Sequence, residues 1–256
     1  FNACSTGSMP KLAQEISPLI SNFETDVSLD KELFQKVKYV YDHQSEFQLQ
    51  QEEKMLLENT YKSFVRGGAL LEGDKKAQLR IINEELSKLS PQYSQNVLQA
   101  TNSFLLHCTS PQEVEGIPAD DLELAADLAK KNNKEGWLFT LQAPSVLAVL
   151  TYCKNRDVRK KMALAHRSRA FKGEFDNSEN CLKIARLRHD RANLLGFETH
   201  AAYVLQERMA KNPVTVWKFL ERLKSSFLPV AKKELNEVKD FALKMDGIQD
   251  LSSWDL

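Results

Sequence analysis

Residues 74–97 read DKKAQLRIINEELSKLSPQYSQNV, and this stretch decides the fold class. Its large apolar residues Leu79, Ile82, Leu86, Leu89, Tyr93 and Val97 are spaced three, four, three, four and four. A helix of 3.6 residues per turn gathers positions at that spacing onto one stripe, whereas a strand would scatter them over both faces. Asp74 is placed to cap the helix, and Pro91 inside it predicts a kink, since proline lacks the N–H of the ladder.

The same period extends in both directions. Asp30–His43 carries Leu33, Phe34, Val37 and Tyr41 on one face, with Ser28 as the expected N-cap. Gln50–Val65 carries Met55, Leu56 and Phe64 and should stop at Gly67-Gly68, where helix propensity collapses. Beyond Pro144 the expected helices are Asn155–Phe171, Asn177–Leu195 with Gly196 as the C-terminal stop, and Thr199–Ala210 capped by Thr199. A long helix opened by Asn212-Pro213 follows, an N-cap with proline at the first helical position. It carries Phe219, Leu220, Leu223, Phe227, Val230, Val238 and Met245, with a bend expected at Pro229 and an end near Gly247. Two short segments break the period: Ser103–Cys108 (SFLLHC) and Gly136–Gln142 (GWLFTLQ). Both are apolar, partly aromatic and bounded by turn formers. They predict two strands pairing across an Asp120–Lys131 helix. The fold class is therefore mainly α, a multi-helix lobe with a small β-hairpin, and residues 102–144 are where a sub-division would fall. No fixed-period repeat is evident.

Composition bounds the function. The 256 residues are 42% hydrophobic and 27% charged, which belongs to a chain with a packed core. Lys+Arg and Asp+Glu are both 35, so no global field attracts nucleic acid or an anionic membrane. No apolar run approaches the roughly 18 residues needed to span a bilayer, and no signal peptide is visible. The cysteines Cys4, Cys108, Cys153 and Cys181 show no C-x-x-C spacing and read as free thiols of a reducing compartment, the cytoplasm. Two features are read as signs of truncation. The chain starts at Phe1 rather than Met, and it stops three residues into a helix that Ser252 or Ser253 would cap and Trp254 would begin.

Catalytic motifs are sought mostly in vain. A zinc peptidase helix needs two His one turn apart with Glu beside the first. His43, His107, His166, His189 and His200 satisfy neither condition, and each reads as a packed or surface side chain. Gly67-Gly68 and Gly73 lack the order of a phosphate loop, and no G-x-S-x-G elbow is present. One charge feature stands out. Lys154, Arg156, Arg159, Lys160, Lys161, Arg167, Arg169 and Lys172 face a single acid, Asp157, in that segment. It could bind nucleic acid or a peptide carboxylate. Without aromatic interleaving to stack bases, the favoured reading is a helix paired with an acidic neighbour or simply solvated.

Several stretches, in order along the chain, carry a family resemblance: LFQKVKYVYD (33–42), LLENTYKSFVRGGALLEGDKKAQLRIINEELSKLSPQYSQNVLQATNSF (56–104), GWLFTLQAPSVLAVLTYCKNRDVRKKMALAHRSRA (136–170), DNSENCLKIARLRHDRANLLGFETHAAYVLQERMAKNPVTVWKFL (176–220) and SSWDL (252–256). From about Lys11 to Leu256 the chain resembles the N-terminal part of the thimet oligopeptidase family, in its oligopeptidase A and dipeptidyl carboxypeptidase branch. The resemblance implies a mostly helical, two-lobed zinc peptidase enclosing short peptides in a channel. Zinc in that family is held by two His of an H-E-x-x-H helix and a downstream Glu, and the motif Glu acts as general base. All of these lie past the equivalent of Leu256. The resemblance therefore carries no catalytic, cofactor-binding or metal-ligating residue onto this chain.

The expectation is that residues 1–256 form a non-catalytic N-terminal region walling the substrate channel. Its partners would be the missing catalytic half and, for the parent enzyme, zinc and short peptides, with no nucleic acid and no membrane. Alone, the chain would be inactive and bind no zinc. The alternative is a stand-alone helical binding or scaffold module. Endo- and dipeptidyl-carboxypeptidase specificities are equally compatible with these residues.

Overall fold

A computed structural model describes residues 9–256, so Cys4 and the Phe1–Cys4 segment lie outside the described residues. The chain is mainly α. Its elements are α1 (Met9–Leu29), α2 (Lys31–Asp42), α3 (Gln51–Arg66), α4 (Asp74–Ser103), β1 (Leu106–Cys108), α5 (Ala119–Lys131), β2 (Trp137–Phe139), α6 (Ala143–Tyr152), α7 (Arg156–Arg167), α8 (Ser178–Leu194), α9 (His200–Leu205) and α10 (Pro213–Asp246), with short 3-10 turns at Gln44–Glu46 and Pro111–Glu113. It divides into two compact units. The first runs to Gln95 and includes Glu179–Val216; the second comprises Asn96–Ser178 and Trp217–Leu256.

In the first unit α2 and α3 pair through aromatics. Phe34 lies 5.9 Å from both Tyr61 and Phe64, and Tyr41 stacks on Tyr61 at 4.0 Å. The stripe of α3 is thus Tyr61 and Phe64, joined by half-buried Leu57, while Met55 and Leu56 are exposed, contrary to expectation. A 3.6 period fixes which residues share a face, but the neighbour decides which face is used. Asp30, not Ser28, caps α2: its carboxylate accepts from the Leu33 N–H, whereas the Ser28 hydroxyl donates back to the Glu24 carbonyl within α1. Leu79, Leu86 and Leu89 of α4 are buried as expected, but Tyr93 stays partly exposed. The helix runs through Pro91 without a break. Proline leaves the Ser87 carbonyl without its ladder donor, and the Ser17 hydroxyl of α1 donates to it at 3.0 Å.

Helix ends in this unit follow the punctuation read from sequence. Gly196 takes φ 84° after α8, the Phe197 N–H reaches the Ala192 carbonyl at 2.9 Å, and the Gly196 N–H reaches Asn193 at 3.0 Å. These two bonds make the Schellman closure that a left-handed residue allows. Thr199 caps α9, accepting from the Ala202 N–H at 3.1 Å. The helix is shorter than expected, ending at Leu205. Thr199→Ala should cost about 1 kcal/mol, the usual worth of a hydroxyl cap. Urea unfolding of the two proteins checks this, and an unchanged midpoint would remove the cap from the account.

The second unit is built around the hairpin. β1 and β2 pair antiparallel, Leu106 opposite Phe139, His107 opposite Leu138 and Cys108 opposite Trp137. The pairing is the expected one but shorter, because Ser103 still belongs to α4 and Thr140 turns to bond the Ser145 hydroxyl at 2.9 Å. Helix α5 packs on β2, and α6 on α7. Cys108, Phe139, Val149, Cys153, Val158 and Met162 lie in one buried cluster. The α7 helix starts where Asn155 accepts from the Asp157 and Val158 N–H groups at 3.1 and 3.2 Å. It ends at Arg167, ahead of the expected Phe171, since Ala170 and Lys172 take left-handed φ of 54° and 65°.

Asn212 caps α10 through the Thr215 N–H at 2.9 Å, and the helix runs past Pro229 to Asp246, with Gly247 at φ 67°. Residues 252–255 make a turn in which the Asp255 N–H donates to the Ser252 carbonyl at 2.9 Å.

Candidate functional site

Three of the five histidines are held by local bonds. The His43 ring lies 4.4 Å from Tyr39 and its Nδ1 is 2.9 Å from the Tyr39 carbonyl. His107 Nε2 is 2.7 Å from the carbonyl of Glu135, just ahead of β2. His189 Nε2 is 2.8 Å from Asn193 Nδ2 on the next turn of α8. His166 is half-buried near the end of α7, where burial and then Arg169 and Arg167 push its pKa down. Among the described residues, no group of three or more His, Cys, Asp or Glu side chains could hold a metal ion. The thiols of Cys108 and Cys153 are buried, and burial pushes Cys108 up to about 11, so that thiol stays protonated near neutrality. A cleft of about 190 Å³ over Leu124, Leu128 and Phe139 is smaller than most ligand sites.

The basic run is absorbed by the second unit's own structure. Asp255, whose side chain is only 1% exposed, accepts from Arg156 Nη2 at 2.9 Å and Arg159 Nη2 at 3.1 Å. Arg159 Nε also bonds the Trp254 carbonyl at 2.8 Å, Arg167 bonds the Ser253 hydroxyl, and Lys160 lies 5.5 Å from the Trp254 ring centroid. Lys154 pairs with Glu115 at 2.8 Å, and Arg169 bonds the His166 carbonyl at 2.9 Å. The acidic neighbour favoured by the sequence argument is Asp255. The signal for it was present as the only acid of SSWDL, but its distance of about a hundred residues from α7 hid the pairing. The hydrogen bond from Arg156, aided by the Ser252 N–H and Arg159, holds the Asp255 carboxyl at about 2.

The first unit contains a different group, which periodicity did not flag. Tyr203 of α9 is surrounded by cations. Arg66 Cζ lies 4.4 Å and Arg191 Cζ 5.9 Å from its ring centroid, and the His200 ring is 6.3 Å away. Arg66 is held by the Tyr203 carbonyl at 3.0 Å and by Gln206. Arg191 has one long bond, 3.4 Å to Asn83 Oδ1. Burial pulls the Arg191 guanidinium below its ordinary value, and burial, then Arg191 and Arg188, pull His200 down from 6.5.

A depressed histidine means that the folded state resists a proton the unfolded chain accepts. Stability is full above the unfolded value of about 6.5 and is lost as pH falls from there toward the lowered folded value. Acidification from pH 7 to 5 is therefore expected to lower the unfolding free energy, with His166 contributing in the same direction. His200→Gln should flatten part of that slope. A pH series of urea melts is the check, and an identical slope in both proteins would refute it.

The class of protein follows from comparison with known sequences. Residues 149–256, from the end of α6 through α10 to the closing turn, match the model of peptidase family M3. The likeness extends beyond that region: the chain is 34% identical to oligopeptidase A of Salmonella typhimurium over 248 residues, covering 95% of this chain and 36% of that protein. It is 32% identical to a probable cytosolic oligopeptidase A of Arabidopsis thaliana over 255 residues, covering 95% of this chain and 36% of that protein. It is 26% identical to the dipeptidyl carboxypeptidase of Escherichia coli over 249 residues, covering 96% of this chain and 37% of that protein. An M3 peptidase match over residues 149–256 and likeness along 95% of the chain to oligopeptidase A and, more distantly, to dipeptidyl carboxypeptidase are what the resemblance implied. It spans about 36% of the length of the oligopeptidase A relatives. No described helix is long and apolar enough to cross a membrane.

Proposed function

We propose that this chain is the non-catalytic N-terminal part of a zinc-dependent oligopeptidase or peptidyl-dipeptidase, where it forms a wall of the channel that receives short peptides. The observation that carries the reading is the state of α10. Ala242 is the one buried side chain along its 34 residues, while twelve large apolar side chains between Val214 and Met245, among them Trp217, Phe219, Phe227 and Phe241, are exposed. Extended apolar exposure marks a surface that another body covers. The catalytic half of the parent enzyme would be that body. A free-standing module would bury such a stripe internally. The zinc, the general base and the open water position belong to the remainder of the parent. The relative described as cytosolic supports a cytoplasmic setting.

The test compares two proteins on a mixed set of short peptides, read by mass spectrometry with and without added zinc and chelator. The parent protein, extended through its H-E-x-x-H helix, should cleave peptides and lose activity to chelator. The 256-residue chain should cleave nothing. Chelator-sensitive cleavage that co-purifies with the short chain would overturn the reading, with His166, His189 and His200 the first to mutate. A stop codon directly after Leu256 in the gene would instead favour a stand-alone helical module.

A further inference from the structure

Two polar atoms beside Tyr203 are shut away from solvent and have no hydrogen-bond partner: Arg191 Nε and His200 Nδ1. They belong to adjacent helices, α8 and α9, and both side chains are gathered around the Tyr203 ring. Arg66 reaches the same ring from α3. No acid answers these charges. Among the described residues, every arginine–carboxylate pair within 4 Å involves Arg80, Arg156 or Arg159, and none involves Arg66, Arg188 or Arg191.

Arg191 is half-buried; a guanidinium partly withdrawn from water without a counter-charge is costly, and a sealed donor left unmade adds to the cost. The Tyr203 ring offsets part of this through its π face. A water molecule could accept from Arg191 Nε, yet it would bring no negative charge. We propose that the first unit holds an oxyanion, a phosphate or a carboxylate, that accepts from Arg191 Nε and from the His200 Nδ1–H, with Arg66 and Arg188 supplying further positive potential. Each missing bond is then made, and the charge is balanced by the acceptor type that guanidinium binds best. Bound anion favours the protonated imidazole, so it raises the His200 titration and relieves the acid loss of stability described above. The inference does not depend on the peptidase reading.

The test titrates the protein with sodium phosphate, with sodium acetate, and with a short peptide bearing either a free or an amidated C-terminus, all at constant ionic strength set by sodium chloride. The readout is the NMR shift of the Arg191 Nε–H and the His200 ring, together with the thermal midpoint. A saturating shift of both groups is expected, with apparent affinity at least about tenfold weaker in Arg191→Met. Saturation by phosphate alone assigns an inorganic or phosphoryl ligand; saturation by the free-acid peptide but not its amide assigns a peptide carboxylate. Met removes an unpaired charge at similar length and should fold. Arg191→Lys, which keeps the charge and lacks the Nε donor, serves as second variant, and it too should bind more weakly. Absence of saturation with any probe, or equal shifts in the wild type and both variants, would overturn the site and leave Arg191 as a cation satisfied by water.

Discussion

Asp255→Ala is expected to destabilise the second unit by about 3 kcal/mol, the cost of removing one partner of a buried charge pair. The size follows from what the carboxylate leaves behind. Arg159, with its side chain 15% exposed, would remain as a buried cation against the Cys153 and Lys154 carbonyls, to which it donates at 2.8 and 2.9 Å. The Ser252 N–H would lose its 3.0 Å acceptor, and the closing turn would lose its attachment to α7. The pH dependence has a definite sign. Because the folded carboxyl sits at about 2 against an ordinary value of 3.8, its contribution is complete above about pH 4 and vanishes as pH falls from 3.8 through 2. Urea unfolding at pH 7 and hydrogen exchange of residues 250–256 measure the effect. Equal stability of the two proteins at pH 7 would show that α7 holds its shape without the pair.

A comparable loss, about 3 kcal/mol, is expected for Gly136→Ala. Gly136 opens β2 with φ 83°, a left-handed conformation in which a side chain is strained. A Cβ there would meet the Cys108 carbonyl oxygen at 2.3 Å and the Thr109 Cα at 3.1 Å, both backbone atoms of the facing strand end. Relief requires moving the hairpin, whose Phe139 and Cys108 belong to the buried cluster. Strain and displaced packing together exceed the few tenths of a kcal/mol typical of surface substitutions. Thermal unfolding reads the loss, while Gly173→Ala, at φ 82° with no atom within 4 Å of its Cβ, is a control for strain without a clash. Equal losses for the two would show that the close approach to Cys108 is immaterial.

These two sites differ in how far they could be read from the chain alone. Gly136 stands at the start of a short aromatic run after Asn-Asn-Lys-Glu, so a turn was legible there, but the oxygen that excludes a side chain belongs to β1, 28 positions earlier. Asp255 lies in a segment that resembles the family, and the basic character of α7 was plain. That these two meet is a tertiary fact, since nothing local relates residues 156 and 255.

The candidate anion site was least legible. Arg66, Arg191, His200 and Tyr203 come from three helices, and each alone looks like an ordinary surface residue of an amphipathic segment. Only their convergence reveals that the arginines lack acids.

What the sequence determined by itself was governed by local physics: the helices, from spacings of three and four; their ends at Gly67, Gly196, Thr199, Asn212 and Gly247, from capping and left-handed propensity; the two strands, from broken periodicity; and the family resemblance, from the order of its segments. Tertiary structure decided what depends on a distant partner. It chose Leu57, Tyr61 and Phe64 over Met55 and Leu56 as the packed face of α3, paired Asp255 with the arginines of α7, and left the stripe of α10 facing outward. Periodicity states that an apolar face exists, and only an opposing surface determines whether that face is buried.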